Sequence, residues 1–150
     1  MDDVTVREAT AADAPFLLLL AREAYSEVLS LQFGGWEEAV HGARFGEKIA
    51  TLPFWVAELD REPVATVSSS LHDDHLRVNE LAVLPQFQNR GLGSFLLLRE
   101  LAGARSMGLP VRLHTFRLNR ALRFYQRHGF VITTRRDAYI DLEWRWPASC

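Results

Sequence analysis

The junction LPQFQNRGLGS, residues 84–94, constrains the fold of this chain more than any other segment. The preceding run, LRVNELAV from Leu76 to Val83, alternates apolar and polar side chains as a half-buried strand does. The following run, FLLLREL, is typical of a helix with a broad buried face. A strand, a glycine-containing turn and a helix in direct succession predict a fold in which helices pack on a sheet.

The other segments predict the rest of that sheet. Strands are expected at residues 4–9, 54–59, 64–71, 76–83, 111–115, 130–134 and 139–146, and helices at residues 11–27, 36–45, 91–107 and 119–128. The order βααβββαβαββ is typical of an α/β protein whose mixed, mostly antiparallel and twisted sheet is flanked by about four helices. Only the step across the glycine-loop helix predicts a parallel crossover. The 150 residues fit a single domain, residues 1–150.

Charge and composition narrow the class of partner. The net charge of −2 provides no basic face for nucleic acid. The apolar stretch at residues 14–21 is too short to span a bilayer, and the acidic start MDDVTVREAT is unlike a secretory signal. Cys150 is the single cysteine, so no intrachain disulfide can form, which is consistent with a reducing compartment. We therefore expect a cytoplasmic protein without nucleic-acid or membrane partners.

The glycines of the junction suit a phosphate group, but they do not match the commonest phosphate loops. A Walker loop has Lys and then Ser or Thr after its last glycine, where this chain has Ser94 and Phe95. A dinucleotide-binding loop needs a third glycine at the position of Leu96. A helix N-terminus still binds anions, and Gly91 and Gly93 let the backbone approach a diphosphate. The alternative is that the two glycines only make a tight turn.

Two blocks of the sequence resemble the GCN5-related N-acetyltransferase (GNAT) superfamily. Residues 88–93, QNRGLG, fit its pyrophosphate signature Gln/Arg-x-x-Gly-x-Gly/Ala. Residues 119–130, NRALRFYQRHGF, resemble its later block of Asn, Ala, Phe-Tyr and Gly-Phe. The blocks lie in the expected order with one short strand between them. The resemblance is specific from Asn79 to Phe130 and only topological before that, and it implies the GNAT acyl-CoA N-acyltransferase fold.

The resemblance implies that the cofactor is acetyl-CoA. Its pyrophosphate would be held by the loop, and its pantetheine arm would pair with a strand edge that splays from the strand at residues 111–115. Asn119 would contact the cofactor arm, although capping of the next helix alone would explain this residue. The implied cofactor-binding residues are Leu81, Ala82, Val83, Gln88, Asn89, Arg90, Gly91, Leu92, Gly93, Ser94 and Asn119.

Two residues are candidates for catalysis. A lysine-like amine has a pKa near 10.4, so only about one in 2,500 is neutral at pH 7 and a general base is useful. Glu80 on the central strand is our candidate base, acting through a water; the alternative is a solvated or ion-paired strand residue. Tyr125 stands where the family places its general acid, which would hydrogen-bond the departing sulfur; the alternative is a core aromatic. A backbone N–H, expected at Val83, would stabilise the oxyanion.

These residues predict an N-acetyltransferase that transfers acetyl from acetyl-CoA to a primary amine by direct attack in a ternary complex. The acceptor is a small molecule or a protein amino group with an apolar portion, bound near Tyr25, Phe33, Trp36, Glu37 and Glu38. An alternative is a non-catalytic acyl-CoA-binding sensor or interaction module, which would need neither Glu80 nor Tyr125. A third hypothesis is an enzyme whose donor carries an acyl chain longer than acetyl.

Three other constellations are weaker. The run from His72 to His75 looks like metal ligands but falls in a predicted hairpin turn, where Asp is common, so no metal site is expected. Cys150 and His114 do not suggest a nucleophile and base, because Cys150 is terminal. Trp144 and Trp146 are expected to share one face of the last strand, which leaves a homodimer contact open.

Overall fold

In a computed structural model, residues 3–146 are described, and Cys150 lies outside them. The strands are β1 (Val4–Glu8), β2 (Phe54–Leu59), β3 (Glu62–Leu71), β4 (Leu76–Val83), β5 (Val111–Phe116), β6 (Val131–Arg135) and β7 (Tyr139–Trp144). The α-helices are α1 (Ala14–Phe33), α2 (Ala43–Thr51), α3 (Leu92–Met107) and α4 (Ala121–Arg127). The strands form one sheet in the order β1-β2-β3-β4-β5-β7-β6. This confirms the predicted mixed sheet flanked by four helices.

The helices cover the two faces of the sheet. On one face α3 buries Leu97 and Leu101 against β4, β5 and β7, and α4 adds Tyr125 to the same core. On the other face α1 places Leu17 against β2 and Leu20 against β4. The strand pairs are antiparallel except β4 and β5, which are parallel and joined through α3 as the sequence predicts. No helix within residues 3–146 has the length and apolar character needed to cross a lipid bilayer.

Three predicted boundaries are wrong. Helix α1 continues to Phe33 and ends directly at Gly34, rather than near residue 27. The helix predicted at residues 36–45 begins at Glu38 instead, as a π-helical turn at Glu38–Gly42, and continues through α2 to Thr51, because Glu37 has an extended backbone. Strand β7 ends at Trp144, which is buried in the core, whereas Trp146 is exposed, so the two do not share one exposed face.

A β-bulge in β4 changes which residues face the helices. Ser68 pairs with Glu80 and Ser69 pairs with Val78, so Asn79 is an extra residue in β4. Before the bulge, Val78 packs in the core under α3; after it, Ala82 packs against Leu20 of α1. The bulge therefore turns Glu80 toward the side of the sheet that α1 and α2 cover.

The parallel strands β4 and β5 separate soon after they start. Their pairing is limited to Leu76 with Val111 and Arg77 with Arg112. Beyond Arg77, the backbone of β4 has no partner strand on that side, and we call this opening the β4–β5 gap. The sheet thus contains an internal edge beside the glycine loop, as the resemblance implied.

Candidate active site

The β4–β5 gap opens into a cleft of about 1110 Å³. Its walls come from α1, α2, β4, the glycine loop, β5 and α4. Of the predicted site residues, the cleft brings together Glu80, Leu81, Ala82, Val83, Gln88, Asn89, Gly91, Leu92, Gly93, Ser94, Asn119 and Tyr125. Arg90 is not among the lining residues; its guanidinium lies 5.2 Å from the ring centroid of Phe87. One cleft therefore holds the candidate cofactor loop and both candidate catalytic side chains.

The glycine loop presents unpaired backbone donors to this cleft. Gly91 precedes α3 with φ of 84°, a left-handed conformation that strains other residues. The first backbone bond of the helix runs from Phe95 N–H to Gly91 O at 2.9 Å. Within residues 3–146, the N–H groups of Leu92, Gly93 and Ser94 have no acceptor, as expected at a helix N-terminus. This end of the cleft is suited to an anion.

Gly93 also keeps the entrance beside the loop open. A Cβ at this position would lie 3.4 Å from Cζ of Phe124 and 4.0 Å from Cγ2 of Val83. The Cβ itself would be in van der Waals contact with both side chains, so the atoms of a larger side chain would extend into the space between α3, α4 and the end of β4. A glycine at position 93 leaves that space to a ligand.

The edge of β4 offers backbone groups to the same space. Leu84 N–H donates to Val64 O of β3 at 2.9 Å. Because successive residues of a strand direct their N–H groups to opposite sides, the N–H of Val83 points away from β3 and toward the gap. The carbonyl of Val83 already accepts a 3.0 Å bond from Nε2 of Gln88, which fixes the loop to the strand end.

Glu80 is a buried carboxylate with two side-chain partners. It is 7% exposed, accepts a hydrogen bond from the hydroxyl of Tyr25, and lies 2.9 Å from Nζ of Lys48. Burial raises the pKa of Glu80, whereas burial, Arg77 and Arg44 lower the pKa of Lys48. The mutual attraction of the two charges opposes both shifts. Glu80 is thus not a solvated strand residue, and its carboxylate is ion-paired with Lys48, as the alternative interpretation expected.

Tyr125 combines a packed ring with a free hydroxyl. The side chain is 7% exposed, and its ring lies edge-on to Phe130 at a centroid distance of 5.6 Å. No residue within the described range 3–146 hydrogen-bonds the hydroxyl, although Tyr125 lines the cleft. Burial, with the charge of Glu80, raises the pKa of Tyr125 above its ordinary value, so the hydroxyl stays protonated and acts as a donor.

Asn119 occupies the predicted capping position. Its Oδ1 accepts the N–H of Ala121 at 2.9 Å, at the start of α4, and its side chain also lines the cleft. Helix α4 ends at Arg127, one residue before the predicted end.

The acceptor region predicted from the sequence is only partly correct. Tyr25 lines the cleft, but Phe33, Trp36, Glu37 and Glu38 do not. Sequence reasoning missed Arg44, Lys48 and Arg77, and treated His114 as a packed strand residue; all four line the cleft.

The His72–His75 turn shows no ligand geometry. The two histidine rings stack with centroids 4.5 Å apart, and Nδ1 of His75 lies 2.7 Å from Oδ1 of Asp74. Across residues 3–146, no group of three or more His, Cys, Asp or Glu side chains is placed to hold a metal ion.

Comparison with known proteins agrees with this architecture. Residues 50–132 match the family model described as an acetyltransferase (GNAT) domain. The fold resembles PaiA N-acetyltransferase from Thermoplasma acidophilum in complex with coenzyme A, with TM-score 0.80, 18% identity, and coverage of 95% of this chain and 99% of that chain. A GNAT family acetyltransferase from Elizabethkingia anophelis with acetyl-CoA bound gives TM-score 0.67 and 19% identity over 97% of this chain and 100% of that chain.

A third solved structure, the ribosomal-protein-S18-alanine N-acetyltransferase from Escherichia coli, gives TM-score 0.68 and 19% identity over 95% of this chain and 93% of that chain. At these identities the likeness concerns the fold. No curated protein matches the chain significantly.

Proposed function

Because the chain belongs to the GNAT acetyltransferase family, we propose that it transfers the acetyl group of acetyl-CoA to a primary amine by direct attack in a ternary complex. The observation that carries the proposal is the β4–β5 gap, which joins a helix N-terminus with free N–H groups to Glu80 and Tyr125 in one cleft. We place this reaction in the cytoplasm and assign it to the chain as one domain.

The residues of the cleft fit coenzyme A. The free N–H groups of Leu92, Gly93 and Ser94 suit the pyrophosphate, together with side-chain donors from Gln88 and Asn89. The unpaired edge of β4 from Leu81 to Val83 suits the amides of a pantetheine arm. Bound acetyl-CoA supplies an acyl group activated as a thioester.

Three groups of this chain each assist one part of the reaction. Glu80 accepts the proton of the attacking amine, directly or through a water, and Lys48 and Tyr25 hold its carboxylate in position. The N–H of Val83 stabilises negative charge on the carbonyl oxygen. Tyr125 donates a hydrogen bond to the departing sulfur. The new C–N bond forms as the C–S bond breaks, so the products are an N-acetyl amine and coenzyme A.

The first test is thermal unfolding with acetyl-CoA, coenzyme A, ATP and NAD⁺ supplied separately. A ligand at 100 times its dissociation constant adds about 2.7 kcal/mol of stability. We expect both coenzyme A species to raise Tm and the two nucleotides to leave it unchanged. If neither coenzyme A species raises Tm, the cofactor assignment and the enzyme assignment both fail.

The second test separates the enzyme from a non-catalytic acyl-CoA-binding module. Free thiol release from acetyl-CoA is followed with a panel of amines. A binding module would give the same Tm shift but no amine-dependent thiol release. A cleft that served only to bind would need neither the buried Glu80 nor the free Tyr125 hydroxyl, and the presence of both favours the enzyme.

A further inference from the structure

The cleft contains a basic patch on the side away from the glycine loop, which we define as Arg44, Lys48 and Arg77. A chain of contacts through two rings connects Arg77 with Arg44. Arg77 donates to Nδ1 of His114 at 2.6 Å, the His114 ring packs against Tyr139 at 4.8 Å between centroids, and Arg44 donates to the Tyr139 hydroxyl at 3.1 Å. Lys48 completes the patch beside Glu80.

Positive charge is in excess at the basic patch. Among residues 3–146, Lys48 has Glu80 as its partner, but neither Arg44 nor Arg77 forms an ion pair. The nearby carboxylate of Asp141 is already bound by Arg136 through two bonds of 2.9 and 2.7 Å. Among the described residues, the half-buried guanidinium of Arg77 therefore lacks an anionic partner of its own.

The basic patch also repels a ligand that carries a positive charge. His114 accepts the hydrogen bond of Arg77 at Nδ1, which requires a neutral ring at that nitrogen. Consistent with this, burial and the charges of Arg77, Lys48 and Arg136 lower the pKa of His114 to about 4. A polyamine would meet repulsion here, whereas a ligand anion would supply the missing partner.

Aromatic rings form the wall next to the basic patch. Tyr25 stacks on Phe45 at 5.3 Å and meets Phe116 edge-on at 5.9 Å, and Phe116 stacks on Tyr139 at 5.2 Å. All four rings line the cleft. An apolar side group can pack here while Arg44 and Arg77 bind an acid group.

We propose that the acceptor is a free amino acid with an apolar side chain, whose carboxylate binds Arg44 and Arg77, whose side chain packs on Phe116 and Tyr139, and whose amine faces Glu80. This inference rests on the proposed function and names its substrate class. Each group of such an amino acid has a counterpart in the cleft. Its carboxylate would pair with the guanidiniums that lack an anion, its side chain would contact the aromatic rings, and its amine would give a proton to Glu80.

The test is a binding titration that needs no turnover. L-phenylalanine and L-leucine are compared by calorimetry with their C-terminal amides, which keep the amine but lack the carboxylate, with and without saturating coenzyme A, and 1,4-diaminobutane serves as the dication probe. The acids should bind about 10-fold or more tightly than their amides, since a charge-assisted hydrogen bond is lost in the amide. The diamine should bind more weakly than either acid.

Variants link the preference to the basic patch. Arg77→Gln and Arg44→Gln should each remove most of the acid-over-amide preference. Arg99→Gln, an exposed arginine on α3 outside the cleft, should leave it intact. Because Arg44 is exposed, its variant keeps the test valid even if Arg77→Gln lowers Tm.

The outcomes separate this inference from the proposed function. Four outcomes would each overturn the amino-acid proposal, even in an active acetyltransferase. The amides could bind as well as the acids, or the preference could survive both arginine variants. Neither acid could bind, or the diamine could bind more tightly than the acids. An acid preference that depends on Arg44 and Arg77, in a protein without thiol release, would uphold the ligand class and overturn the acetyltransferase.

Discussion

Replacing Tyr125 with phenylalanine removes one oxygen from the wall of the cleft and leaves the ring in place. The hydroxyl has no hydrogen-bond partner among the described residues, and the ring keeps its edge-on contact with Phe130. The change should therefore alter the free energy of unfolding by no more than about 0.5 kcal/mol, or about 1–2 °C in Tm. Coenzyme A affinity should stay within about threefold.

Turnover should respond quite differently to Tyr125→Phe. A hydrogen bond to a charged group contributes about 1.5–3 kcal/mol, which corresponds to a loss of about 10- to 160-fold in kcat. Single-turnover thiol release measures this loss without a contribution from product release. Ser106→Ala, which removes a hydroxyl from α3 outside the cleft, is the control. If Tyr125→Phe turns over at the wild-type rate, Tyr125 is a core aromatic and the reasoning about the leaving sulfur is refuted.

Three further changes test the loop, the base and the electrostatics of the cleft. Gly93→Val should weaken coenzyme A binding about tenfold or more by calorimetry, because its Cβ would lie 3.4 Å from Phe124 and its methyl groups would extend further into the cleft. In the control variant Gly103→Val, on the same helix, the Cβ meets no atom within 4 Å, and coenzyme A should bind with wild-type affinity. Burial raises the pKa of Glu80 to about 8, so wild-type kcat should rise with pH and level off above that value. Glu80→Gln should lower the plateau about 10²- to 10⁴-fold and remove the inflection. An unchanged pH profile would contradict the assignment of Glu80 as the base. Burial and neighbouring cations lower the pKa of His114 from 6.5 to about 4, so the unfolded chain takes up this proton first as the pH falls. Stability should then decrease between those two values, and His114→Gln should flatten that part of the Tm-against-pH curve; equal slopes would show that another group is responsible.

The sequence predicted the helices, the strands and the glycine turn before α3 well, because their signals are local. Glycines at 34 and 91 stop and start helices by their own backbone preferences, and the alternation in β4 is readable residue by residue. The helix expected at residues 36–45 is present but starts at Glu38 and runs on to Thr51, and Trp36 lies outside it, stacked on Phe45, a contact that local propensity does not contain.

The basic patch was not predicted from the sequence, again because its position depends on contacts between distant residues. Strict alternation would place Arg77 and Glu80 on opposite faces of β4. The bulge at Asn79 adds one residue, and both side chains then line the same cleft. The side chain of Asn79 is held by Ser70 at 2.8 Å and Ser68 at 3.2 Å, so the bulge depends on partners from a neighbouring strand. Neither those partners nor Lys48 from α2 can be assigned to the site from the order of residues alone.

The separation of β4 from β5 also has a consequence for how the protein unfolds. Two residue pairs connect the ladder of β1 to β4 with the ladder of β5, β7 and β6, so the two ladders are weakly coupled through backbone bonds. A pantetheine arm lying in the gap would act as a temporary strand and couple them. Hydrogen exchange at the amide of Val83 should then slow on binding, and exchange in the two ladders should become more concerted. Cofactor occupancy would thus add a backbone connection to the coupling that the shared core under α3 already provides.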